Sequence, residues 1–164
     1  MIQKPFFIVE KGDIPQMPLK SWILAMIRDK DQVRPRDALS IMYEAFIFSK
    51  EILSPIESEF EFKITSQGLF SEKVAASVKI LLSSNMLKNK EDESSVGGLN
   101  GYVLSESGIK EAEKTFHKLP VAIREKIEFM NFITAKMGLT GMLQYIYSIY
   151  PEYVYLREGG EDIV

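Results

Sequence analysis

Few residues in this chain could do acid–base, metal or nucleophilic chemistry. There is no cysteine and one histidine, His117. Thiol catalysis, a disulfide framework and a Cys-ligated zinc site are excluded on that ground. A single histidine also excludes His-pair metal motifs and a histidine relay elsewhere in the chain. His117 lies near the end of an apolar-periodic segment, with Lys114 and Lys118 close by, where a helix dipole favours a histidine. No partner pattern accompanies it, so catalysis is not expected of it. Glu57, Glu59 and Glu61 alternate, but a strand edge of acids is ordinarily solvated surface. No glycine-rich phosphate loop opens a helix, and neither G-x-S-x-G nor a carboxylate–His metal spacing is present. The expectation is a non-enzyme with no catalytic residue, no metal and no cofactor.

Binding is the alternative chemistry, and two groups of residues could carry it. The first is cationic. In "SQGLFSEKVAASVKILLSSNMLK" a turn, a capped helix and a strand start follow one another. On a helical wheel Val74, Ala75, Val78, Leu81 and Leu82 face inward, while Glu72, Ala76, Lys79 and Ser83 face outward with Lys73 and Ile80 on the flank. Lys73 and Lys79, Lys88 and Lys90 after the helix, and Arg34 and Arg36 in "RDKDQVRPR" are the candidate DNA contacts. Base reading wants Arg, Asn or Gln at groove edges; this helix offers a lysine, small residues and an acid, hence a light backbone grip. The second group is aromatic. Tyr145, Tyr147, Tyr150, Tyr153 and Tyr155 are five of the seven tyrosines. Tyrosine joins apolar area to a hydroxyl, which suits an interface, and packing against the rest of the chain is the competing reading.

These residues must be positioned by regular elements. Leu19, Trp22, Ile23, Met26 and Ile27 predict one amphipathic helix, and Leu39, Met42, Tyr43, Phe46 and Ile47 a second over about 36–52. "EFEFKIT" alternates Phe60, Phe62 and Ile64 with Glu61 and Lys63, which predicts a half-buried strand. Gly68 supplies a turn. Ser71 is an N-cap, and Asn85 occupies the left-handed position after the third helix. "MLKNK" and "GYVLS" predict two short strands around the polar loop "EDESSVGGLN". Three C-terminal helices follow, separated at Pro120 and Gly138 and stopped at Pro151.

The order helix, helix, strand, helix, strand, loop, strand is that of a winged helix-turn-helix. "FEFKITSQGLFSEKVAASVKILLSSNMLK" followed by "GYVLSESG", and the late "YIYSIYPEY", resemble the YwgA-like and Panacea-type proteins over roughly residues 19 to 155. Ser66-Gln67-Gly68-Leu69 stands where those families carry a Tyr-Gly-Pro turn. The resemblance implies a winged-helix fold with regulatory or antitoxin-like roles, and no catalytic residues.

The expected fold class is therefore α+β: an N-terminal arm or short strand over 1–18, a winged helix-turn-helix over 19–105, appended C-terminal helices over 106–155 and an acidic tail over 156–164. The expected function is a DNA-associated regulator, either a transcription regulator or antitoxin-like. A winged-helix protein–protein adaptor that never touches DNA is the alternative. The corresponding partners are double-stranded DNA, another protein, or a second copy of the chain. Charge bears on the choice. Eleven basic and twelve acidic residues lie between 19 and 105, and the net charge of the chain is −3. Phosphate binders usually carry a basic surplus. The loop's Glu91, Asp92 and Glu93 would repel phosphate. No apolar run approaches the about 20 residues of a membrane span. The apolar run Phe6–Val9 is too short for a signal peptide, so no membrane and a cytoplasmic location are expected.

Overall fold

A computed structural model describes residues 9–30, 34–90 and 101–153. Those residues form an α+β structure, mostly helical, with two small antiparallel sheets of two strands each. The helices are α1 (Leu19–Ile27), α2 (Ala38–Glu51), α3 (Glu72–Ser83), α4 (Glu106–His117) and α5 (Val121–Ile149). The strands are β1 (Lys63–Thr65), β2 (Gly68–Phe70), β3 (Leu87–Asn89) and β4 (Tyr102–Leu104). Of the arm expected over 1–18, residues 1–8 lie outside the described residues, and Lys11–Asp13 is a 3-10 turn. The polar loop 91–100, Tyr155 and the tail 156–164 also lie outside them.

The core is built where the apolar stripes meet. Trp22 through Ile27 are all buried, because α1 packs on α3, α4, α2 and α5 together. A helix surrounded this way is apolar on every side. Asp37 caps α2 by accepting the Ser40 N–H at 2.7 Å, and Phe46 and Phe48 are fully buried on that helix. Leu39, expected on the inward stripe of α2, stays 46% exposed, and Ile109 near the start of α4 is 39% exposed.

The expected strand over 59–65 is corrected. Ser54–Phe60 winds as 3-10 turns, with Pro55 at its start. Glu61 adopts a left-handed conformation, φ 48°, which interrupts the period-two alternation. Phe60 and Phe62 then lie stacked at 6.4 Å rather than side by side along a strand. Only Lys63–Thr65 remains extended, and it pairs with an unexpected strand, Gly68–Phe70, through the turn at Ser66 and Gln67. Gly68 has φ 111°, open to glycine and strained for other residues.

The ends of α3 follow the sequence reading. Ser71 Oγ accepts from Val74 N at 3.1 Å, and Asn85 has φ 61°. The chain then enters β3, which pairs with β4 in the register Leu87↔Leu104, Lys88↔Val103, Asn89↔Tyr102. Arg36 adds one more rung: its N–H donates to Tyr102 O at 3.0 Å, and Tyr102 N–H donates back at 2.6 Å. Helix α5 is interrupted at Gly138, φ 67° and ψ −177°, so the two C-terminal helices expected on either side of it are present as two segments.

Candidate functional site

The basic cluster before α2 is turned inward. Arg36 is 4% exposed. Its Nε lies 3.1 Å from each oxygen of Glu44, and Nη1 donates to Ile27 O at 3.1 Å, Asp29 Oδ2 at 3.1 Å and Arg34 O at 3.3 Å. Nη2 donates to Asp29 Oδ1 at 3.1 Å and Asn131 Oδ1 at 3.3 Å. All three guanidinium nitrogens are engaged, so the expected phosphate contact at Arg36 is corrected to a buried structural pair. Burial works against the charge, but Glu44 and Asp29 outweigh it and the guanidinium pKa is raised. Arg34 is half-buried and reaches Glu44 Oε1 at 3.4 Å and Thr134 Oγ1 at 3.5 Å. Its pKa is lowered by burial and then by the charge of Arg36. Arg28 joins α1 to α4 and α5 through Glu113 at 2.7 Å and Glu128 at 3.3 Å, and stacks on Phe116 at 3.9 Å. One sequence signal could have found this network: Glu44 shares an α2 face with Ile41 and Phe48, where a solvated carboxylate would not sit.

The lysines stay outside. Lys73 is exposed and pairs with Glu61 at 2.5 Å, while Lys63 reaches Glu72 at 3.5 Å. Exposed pairs of this kind hold weakly and can be exchanged for another partner. Lys79, Lys88 and Lys90 are exposed and make no ion pair among the described residues. Ile80 stands between them in sequence, on α3, 47% exposed. The outer surface of α3 is thus a mixture of cations, acids and one large apolar side chain.

Three of the tyrosines pack inward onto α2. Tyr145 and Tyr150 both donate to Glu51 Oε2, at 2.5 and 3.0 Å. Tyr150 and Tyr153 set their rings edge-on to Phe46 at 5.3 and 4.8 Å, and Lys50 Nζ lies 5.0 Å from the Tyr153 ring centre. Their area is spent on closing the second segment of α5 against α2. Tyr147 is 37% exposed. His117 is exposed, with Nδ1 2.8 Å from Glu113 O in the last turn of α4.

Both phenol pKa values are raised, first by burial and then by Glu51. The folded chain keeps these protons where an unfolded phenol releases them, above about pH 10. Their contribution is therefore complete below that pH and is lost as pH rises beyond it. Tyr145→Phe with Tyr150→Phe should flatten the alkaline loss of stability, read as urea midpoints at neutral and alkaline pH. Parallel losses in both proteins would refute the assignment.

Between α2 and α5 runs a groove of about 1040 Å³. Ile47, Ile52, Phe129, Met130, Ile133 and Met137 form its walls, with Lys50, Glu51, Glu125 and Lys126 among its charged lining residues. Phe129 is 67% exposed at its edge. The groove is open and largely apolar, and the sequence reading missed it. Its signal was Phe129, which falls off the inward stripe of Ile123, Ile127, Met130 and Thr134. Among the described residues no group of three or more His, Asp or Glu could hold a metal ion, and no helix is long and apolar enough to cross a membrane. No known protein-family model matches the chain, and no curated protein matches it.

Proposed function

We propose that the chain is a winged-helix interaction module that works through protein–protein contact, the adaptor function, in a regulatory or antitoxin-like setting. The groove between α2 and α5 carries this reading, because an open apolar wall with a charged rim suits the side chains of another protein. The winged-helix frame is supported by the element order and by the Arg36 rung beside Tyr102, which supplies a third extended segment next to β3 and β4. The resemblance to the YwgA-like and Panacea-type proteins supports the regulatory setting.

A second reading, a DNA-associated regulator, is favoured by Lys79, Lys88 and Lys90, exposed cations on α3 and on and just after β3. One experiment separates the two: retention on mixed duplex DNA at two salt concentrations. The adaptor should show no salt-sensitive retention. Binding that falls steeply with salt and is lost in Lys79→Glu with Lys88→Glu would overturn the adaptor in favour of the regulator.

A further inference from the structure

The first segment of α5, residues 121–137, has two opposite working faces. Ile123, Ile127, Met130, Asn131 and Thr134 are buried against the body of the protein. Half a turn away around the helix stand Glu125, Phe129, Phe132 and Lys136, all exposed. Phe129 and Phe132 are 67% and 57% exposed. A helix apolar on both sides is one that is covered on both sides.

The four outer residues follow the spacing i, i+4, i+7, i+11, the seam along which two helices pack. Their order is acid, ring, ring, base, and it is symmetric about the midpoint between Met130 and Asn131. Reversed and laid against itself, the seam sets ring on ring at the centre and acid on base at both ends. Laid parallel to itself it sets Glu125 on Glu125 and Lys136 on Lys136, which is repulsive. Neither Glu125 nor Lys136 makes an ion pair among the described residues. Lys136 Nζ lies 4.8 Å from the centre of its own Phe132 ring, so the cation already borders the apolar patch.

We propose that the occupant of this seam is a second copy of the chain, in a symmetric dimer with the first segments of α5 packed antiparallel. Phe129 then faces Phe132 of the partner subunit, and Glu125 faces Lys136 of the partner subunit. Two-fold symmetry repeats each contact. The four rings form a central anchor with charge at the rim, the arrangement that carries most of the energy in protein interfaces. The dimer goes beyond the adaptor reading; Glu125 and Phe129 also line the groove, whereas Phe132 and Lys136 lie outside it, so substitutions at those two test the dimer separately.

Sedimentation equilibrium of the full chain over a concentration series tests it. The mass should rise to that of two chains. Phe132→Glu should weaken the association at least about tenfold, the effect expected of an anchoring aromatic. Unchanged Trp22 fluorescence would show that this exposed substitution leaves the fold intact. Glu125→Lys and Lys136→Glu should each weaken the dimer, and together they should restore it, because the swapped charges again face their opposites. A single-chain mass at every concentration would overturn the proposal. So would a dimer indifferent to Phe132→Glu, or a double charge swap no stronger than either single one.

Discussion

Glu44→Ala should lower the stability of the fold by about 3–5 kcal/mol, the usual cost of removing one partner from a buried ion pair. The Glu44 side chain is wholly buried, and it holds Arg36, itself 4% exposed, with Nε at 3.1 Å from each oxygen. Without Glu44 that nitrogen has no carboxylate partner, and half of the compensating negative charge is gone. Asp29 cannot replace it, because it already accepts from Nη1 and Nη2 at 3.1 Å. Arg34 loses its contact as well. The exposed pairs Lys73–Glu61 and Lys63–Glu72 should contribute about 0–1 kcal/mol each by comparison. The cause can be isolated. If the uncompensated guanidinium is responsible, Arg36→Met combined with Glu44→Leu should recover much of the loss, because an apolar pair of similar volume removes the desolvation cost. Urea unfolding followed by Trp22 fluorescence measures both, since that buried ring lies 6.0 Å from Phe48 within the core. A loss below about 1 kcal/mol in the single variant would mean that the network contributes no more than a surface bridge.

Gly108→Ala should also destabilise, with a sign opposite to helix propensity. In an open helix the change would gain roughly 1 kcal/mol. Here a Cβ at position 108 would lie 2.0 Å from Met86 O and 2.9 Å from Met86 C. Those atoms are backbone and cannot swing aside. Met86 O accepts from Ser105 N at 2.9 Å, and Gly108 N donates to Ser105 Oγ at 3.0 Å. Ser105 Oγ in turn donates to Asn85 O at 2.5 Å. The first turn of α4 is therefore seated directly on the backbone that joins α3 to β3. Adding one methyl group forces that seat apart, at about 1–3 kcal/mol or more. Equal or higher stability in the alanine variant would show that the close approach is not maintained. Gly108 is the final residue of "GYVLSESG", and this contact is the physical reason for a glycine there.

Much of the local structure was legible in the sequence, and the particular residues show why. Periodic spacing revealed the six helical stripes, because burial of one helix face is a local periodic property. The cap at Ser71, the left-handed Asn85 and the break at Gly138 each depend on one residue's own backbone preferences. The strand at 59–65 failed for the same kind of reason in reverse. Alternation of Phe60, Phe62 and Ile64 is a true pattern, but a single left-handed residue, Glu61, undid it. The tyrosines stood out as a cluster suited to an interface, with packing as the competing reading. Their target, Glu51 and Phe46 on α2, was not, because it lies roughly a hundred residues away.

The sequence alone determined the helical elements, the α+β class and the lack of cysteine and paired histidines, all of which rest on residue type and short-range spacing. Only the tertiary structure decided what the charges and rings do. Arg36 has the same neighbours in sequence whether it meets phosphate or Glu44; the burial that settles it comes from α2, Asp29 and Asn131, the last 95 residues distant. Phe129 and Phe132 are apolar in any reading. That one face of α5 is covered while theirs is open follows from which helices reach it, and no local pattern encodes that.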